Sequence, residues 1–350
     1  MKLIKNFSLL LLAVLLSTSL YAQQSHRVAS YVNTVNPKQS AYMAANSIMI
    51  VGKVPNVRAI SCFNASTDVA RACIDCSKFY RTNLPEDVNV YLLVIPSAAS
   101  FYVPDAAARW SRKGAEAEII NAIYAGLDPN VVIVDAYSAL ASHAHEDIYS
   151  RTDHHWAPLG GYYAAQALAK AAGVPFKDLS HYERKVVPGY VGSMYSYSKD
   201  AAVKNSPENF VYHKPKSANY ETTYIVYSLA SNNKSIIGES RPTKGNYFYN
   251  FAAGAAYCTF MGGDSRITQV KTDVANGRRM LIVKDSFGNA IPGYLFYSFE
   301  EIHVVDFRFF NKNLKTYIKE HGITDVIIST SIAFAVSSSP MSSYKRLLVQ

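Results

Sequence analysis

Two short motifs carry side chains that could do chemistry together. Residues 151–156 read Arg-Thr-Asp-His-His-Trp, and Lys284-Asp285-Ser286-Phe287-Gly288 follows the apolar run Met280–Val283. They supply a carboxylate (Asp153), an imidazole (His155) and a hydroxyl (Ser286). A serine becomes a nucleophile when a histidine takes its proton and a carboxylate fixes the imidazole tautomer, so this set points to acyl transfer or ester hydrolysis. Asp153 lies two positions before His155 in a polar stretch, and Pro158 falls where the first turn of a helix tolerates proline. The pair is therefore expected on the loop entering a helix, with Trp156 as a packing wedge and His154 as a structural side chain pointing elsewhere. Ser286 is expected between a buried strand and a helix, at the sheet edge where α/β proteins place ligands. Free N–H groups at that helix start could hold a developing oxyanion. The plainer alternative is that Ser286, or Asp285 beside it, simply caps the helix.

A metal centre is the competing chemistry. His143, His145, His154 and His155 lie close together with Asp147 and Asp153 among them, and zinc accepts such ligands. The histidines lack the HExxH spacing and no distant third ligand is evident, so the expectation is a site without metal.

The elements that must position these groups alternate. Residues 47–51, 88–95, 131–134, 280–283, 302–305 and 325–328 are short, β-branched and bounded by turn residues, as in parallel strands covered on both faces. Helical spacing of apolar residues marks 65–80, 106–127, 160–172, 287–299 and 313–321, with Gly173 and Gly322 at two C-terminal ends. Strand alternating with helix predicts an α/β fold, a three-layer α/β/α sandwich with a mostly parallel sheet. Residues 176–260 break the pattern: no long helix, abundant Tyr, Ser, Asn and Lys, and an alternating stretch over Asn219–Tyr227. They are read as a β-rich insertion resting on the sheet. Its tyrosines 190, 195, 197, 212, 247 and 249 either stack on sugar rings or fill a small β core.

Lys2 and Lys5, the apolar run Leu9–Leu16 and small residues up to Ala22 read as a secretory signal peptide over 1–22, leaving 23–350 as the mature domain. The alternative, a membrane anchor, needs an apolar run of ~20 residues. No later stretch meets that length, so a periplasmic or secreted protein without a transmembrane span is expected. In such a compartment Cys62, Cys73, Cys76 and Cys258 are expected to form one or two disulfides of unassigned pairing. The net charge of +9 comes from scattered basic residues, which argues against nucleic acid as a partner.

The Thr152–Trp156 stretch, Lys284–Gly288 and Val305-Asp306-Phe307-Arg308-Phe309-Phe310 together resemble the DHHW family of exported bacterial proteins, over roughly residues 45–335. That family is similar to the SGNH-hydrolase-like domains of periplasmic alginate O-acetyltransferases, in which Asp-x-His also precedes the serine. The resemblance implies Ser286 as nucleophile, His155 as general base and Asp153 as its partner. It places Arg308 at another strand end, facing the cleft to bind a carboxylate or sugar hydroxyl, or else paired with Asp306. Gly263 and Asn289 are the candidates for the oxyanion hole, and Lys284 stands where the esterase motif often has glycine. The implied function is an exported serine-dependent carbohydrate O-acetylesterase or O-acetyltransferase acting on envelope or extracellular polysaccharide through an acetyl-serine, with no cofactor. A transferase would need an acetylated donor, such as a membrane protein. The alternative is a non-catalytic glycan-binding or envelope-assembly protein on the same fold.

Overall fold

The computed structural model describes residues 25–31 and 38–350; the expected signal peptide lies outside them. In chain order the strands are β1 (Ala41–Met43), β2 (Ile48–Val51), β3 (Arg58–Ser61), β4 (Asn89–Ile95), β5 (Val131–Val134), β6 (Tyr182–Tyr190), β7 (Glu208–Pro215), β8 (Tyr220–Leu229), β9 (Ile236–Glu239), β10 (Thr243–Gly245), β11 (Arg266–Thr272), β12 (Arg279–Lys284), β13 (Glu301–Asp306) and β14 (Asp325–Ser331). The fold is mixed α/β around one large sheet of order β10-β8-β11-β13-β12-β14-β4-β5, with β9 also paired to β8.

Five apolar runs read from the sequence become the parallel ribs β13, β12, β14, β4 and β5. The sixth does not. β2 pairs antiparallel with β1 and β3 in a separate sheet. Its unbroken apolar run has its own cause: Met49 and Val51 face the main core, while Ile48 and Ile50 face a second cluster with Val57, Ala59, Met194 and Val203. A strand buried on both faces reads alike whichever way its neighbours run.

The sheet is also less parallel than expected. Beyond β13, strands β11, β8, β9 and β10 all pair antiparallel. Residues 176–260 thus contribute β8, β9 and β10 to the main sheet, alongside the separate β6–β7 ladder. The expected helix over 287–299 is replaced by two 3-10 turns, Ser286–Ala290 and Pro292–Tyr294. Pro292 supplies no N–H and its ring crowds the preceding turn, so an α-helix cannot run through.

The four cysteines are free thiols, which corrects the disulfide expectation. Cys73 and Cys76 lie on the Arg71–Asn83 helix and pack into the core as small apolar side chains. Burial pushes the Cys76 thiol up to about 12, so it stays protonated. No described helix is long and apolar enough to cross a membrane.

The helix Pro158–Ala172 sets the position of the Asp153 loop, because it carries the chain directly away from it. Its Gly161 lies against Ala290: a Cβ there would meet the Ala290 Cβ at 2.8 Å and its carbonyl oxygen at 2.9 Å. This contact brings the loop before the helix onto the turn after β12. We expect Gly161→Val to lower stability by about 1–3 kcal/mol through overpacking, read as a lower urea midpoint, and to weaken any reaction that needs Ser286 and His155 in contact.

Candidate active site

β12 is buried from Met280 onward and ends at Lys284, in register with Asp306 of β13 and Ser329 of β14. The chain then turns sharply. Asp285 caps the turn: its Oδ1 accepts the Phe287 N–H at 2.9 Å and its Oδ2 the Ser331 N–H at 2.7 Å, tying the turn to the end of β14. Gly288 folds back over Lys284, whose Cβ would lie 2.5 Å from a Cβ at that position. Capping therefore falls to Asp285, and the Ser286 hydroxyl is left free to face the cleft.

The Asp153 loop reaches Ser286 from the other side. Trp156 Nε1 donates to the Phe287 carbonyl at 2.9 Å, which makes the wedge a tether between the two motifs. His155 Nε2 lies 2.8 Å from Ser286 Oγ, and its Nδ1 lies 2.6 Å from Asp153 Oδ1. Asp153 Oδ1 also accepts the His155 backbone N–H, and Oδ2 accepts the Ser193 N–H at 2.7 Å. Residue 192 must be glycine for that approach, because a Cβ there would collide with the Asp153 carboxylate. Burial disfavours an ionised Asp153. The neighbouring His155, its hydrogen bond and the Ser193 N–H outweigh that and hold the carboxyl well below the usual range.

Aromatic contacts fix the plane of the base. Tyr257 stacks on His155 with centroids 3.9 Å apart and planes 7° apart, and His154 lies on it at 3.7 Å. The Tyr257 hydroxyl donates to the Ser286 carbonyl at 2.9 Å, so one residue braces both the base and the serine turn. His154 does not point away as expected; it lines the cleft. Burial first, and then the charge of His155, push its imidazole down to about 4, leaving it neutral near pH 7.

Below the serine lies a buried charged group. Lys284, 2% exposed, donates to Asp264 at 2.7 Å and to Asp306 at 2.8 Å. β11 runs antiparallel to β13, which brings the Gly262-Gly263-Asp264 turn before it to this same rim. Burial would depress the Lys284 ammonium, but the two carboxylates raise it above its ordinary value. Burial would likewise raise Asp264, but Lys284 and Arg308 hold it well below the carboxylate range.

Arg308 is one-third exposed at this rim, and its guanidinium is paired. Its Nε and Nη2 donate to Asp306 and its Nη2 to Asp264, the salt-bridge alternative. Gly263 and Asn289 do line the cleft with Ser286. Gly263 has φ of +120° and open space around it. Among the described residues no protein acceptor takes its N–H or that of Ser286. Asn289 donates through its amide to Asp264 Oδ1 at 2.8 Å, so one of its N–H groups is engaged. The five-residue 3-10 turn at Ser286 has no long dipole to offer, so only local N–H groups can serve a developing oxyanion.

The metal alternative narrows to Asp153, His154 and His155, the three potential ligands close enough to share an ion among the described residues. The donor atoms of Asp153 and His155 are already taken by the hydrogen bonds above. His143 instead pairs with Glu146 and stacks on Tyr163, and His145 is exposed.

Sequence reasoning missed Tyr257, Gly192, Ser193 and Asp264. Asp264 adjoins the candidate Gly263 and could have been flagged; the others sit in segments with no periodic signal.

The fold and this site define a mixed α/β protein with a serine–histidine–aspartate relay at the carboxyl edge of its parallel strands. The DHHW protein family model matches residues 37–305, and the chain belongs to that family. It is similar to a DHHW family protein from Eubacterium siraeum: 35% identity, TM-score 0.78, covering 89% of this chain and 98% of that one. It is also similar in fold to Bacillus cereus PatB1, solved with a sulfonyl adduct, at 18% identity and TM-score 0.65 over 87% of this chain and 98% of that one. The O-acetyltransferase domain of Pseudomonas putida AlgJ aligns at 12% identity and TM-score 0.45 over 88% of this chain and 99% of that one. No curated protein sequence matches.

Replacing Lys284 with methionine leaves Asp264 and Asp306 short of a cation and should cost about 3–5 kcal/mol at pH 7. Asp153 and Asp264 ionise more readily folded than unfolded, so their contribution is complete above the unfolded value of ~3.9 and is lost as pH falls below it. Urea midpoints should therefore drop for the wild type between pH 5 and 3, and drop less for Lys284→Met.

Proposed function

We propose that the protein is an exported serine-dependent carbohydrate O-acetylesterase or O-acetyltransferase, with the three-layer SGNH-like arrangement its motifs imply. The observation that carries this reading is the single imidazole bridging Asp153 at 2.6 Å and Ser286 at 2.8 Å. His155 Nε2 takes the Ser286 proton as Oγ attacks the acetyl carbonyl carbon. Asp153 holds the imidazole in the right tautomer and stabilises its cation. The N–H groups of Ser286 and Gly263 are the donors best placed for the oxyanion. Collapse expels the alcohol, which takes the proton from His155 and leaves an acetyl-serine. Water or a sugar hydroxyl then attacks in turn, giving its proton to His155, and Ser286 recovers its own. No cofactor enters these steps.

A small acyl group fits the walls. The cleft, about 410 Å³, counts Gly192, Gly254, Ala255 and Gly263 among its lining residues. The proposed partners are an acetylated glycan or polysaccharide and, for transfer, a membrane-held acetyl donor. Residues 1–22 are proposed to direct export, with periplasmic or secreted residence of the remainder.

The second reading, glycan binding without catalysis, has one observation on its side: the Asn289 amide is engaged by Asp264. Reaction with a fluorophosphonate or a sulfonyl fluoride separates the two. The wild type should be labelled at Ser286 and should hydrolyse p-nitrophenyl acetate. Ser286→Ala should take no label, and Asp153→Asn should lose on the order of 10³–10⁴-fold in kcat. A wild type inert to both reagents and to the ester would leave the binding reading.

A further inference from the structure

His154 is the member of the Asp-His-His-Trp motif that the relay does not use, yet it is placed in the cleft. Its Nδ1 lies 2.5 Å from Ser193 Oγ, while Nε2 has no protein partner among the described residues and the side chain is 30% exposed. Its ring centroid lies 3.7 Å from that of His155, and both residues line the same cleft as Ser286. Tyr197, on the short Ser193–Ser198 helix, has its ring centroid 5.7 Å from that of His154 and is 47% exposed. It is held by its backbone, where Asn46 donates to its carbonyl at 2.7 Å, and its ring is left for solvent.

We propose that His154 and Tyr197 form an acceptor subsite for an uncharged pyranose ring, which stacks on Tyr197 and offers one hydroxyl to His154 Nε2 beside the acetyl-serine. This deepens the function proposed above and rests on it for the transfer step.

The ligand class follows from the chemistry. Among the described residues, His154 offers one unpartnered ring nitrogen at the half-open end of its side chain. Nε2 presents one hydrogen bond, given or accepted according to the tautomer, and a hydroxyl satisfies either. An exposed aromatic face pairs with the apolar C–H face of a sugar. Of the six tyrosines read from the sequence as stacking candidates, Tyr190, Tyr212 and Tyr247 are buried, Tyr195 and Tyr249 are half-buried, and Tyr197 is exposed beside His154. In the transfer step the held hydroxyl oxygen attacks the acetyl carbon and passes its proton to His155. The bond to Ser286 Oγ breaks, that oxygen takes the proton, and an O-acetyl sugar leaves.

The test uses chitotetraose, cellotetraose and mannotetraose in two measurements. Saturation-transfer NMR reads binding to the wild type, and mass spectrometry reads acetylated sugar formed from p-nitrophenyl acetate. At least one sugar should bind. His154→Phe, which keeps a flat ring but loses Nε2, and Tyr197→Ala should each raise its dissociation constant about tenfold. His154→Gln should recover part of the loss. Binding that depends on both residues in a protein inert to fluorophosphonate would uphold the subsite and overturn the hydrolytic reading. A labelled, active protein that binds none of the three sugars, or binds one equally well as His154→Phe, would overturn the subsite alone.

Discussion

One histidine has both ring nitrogens engaged at once, and the contacts around the site hold that geometry in place. His155 meets a carboxylate from its own loop and a hydroxyl 131 positions further along the chain. The local half follows from the Asp-x-His spacing, since Asp153 Oδ1 bonds both the ring and the backbone N–H of His155. The distant half depends on two loop-to-turn contacts: Trp156 on the Phe287 carbonyl, and the bare backbone of Gly161 against Ala290. Tyr257 stacks on the ring and His154 packs against it at a tilt, so rotating the imidazole would cost both contacts.

The floor of the site answers a different problem. Parallel strands end in a row of groups that face the ligand edge, and here two of them carry charge, Lys284 and Asp306 in direct register. A buried ion is tolerable only when its partners are complete, and removing one is far worse than never having the pair. Asp264 and Arg308 complete the set. Lys284 and Arg308 thus share both carboxylates at this rim. Asp264 also links the Gly263 turn, Asn289 and Lys284 through a single carboxylate, so these groups beside the serine turn are positioned together.

The tyrosine-rich middle of the chain shows how composition and position part company. Its alternation correctly marks β8, but alternation cannot say that the strand extends the main sheet through β11. Aromatic density is equally silent on exposure. Tyr247 packs against Phe248 and Phe296 inside the core, while Tyr197, from the same segment, stands open next to His154. The Ser193–Ser198 helix that carries it also supplies the Ser193 N–H to Asp153, so a region chosen for its composition supports both the relay and the cleft wall.

Periodicity and motif spacing were enough to mark the five parallel ribs, the loop bearing Asp153 and His155, and the half-buried serine after β12, because these depend on near neighbours in the chain. Proline 292 was visible too, but its power to break the expected helix into short turns was outweighed by apolar spacing. Pairing partners, the direction of the outer strands, the fate of the cysteines, and the pairing of Arg308 with both Asp306 and Asp264 were decided only by the folded protein. Each rests on groups dozens to hundreds of positions apart, and their meeting is governed by burial and charge pairing across the whole sheet, which no local pattern records.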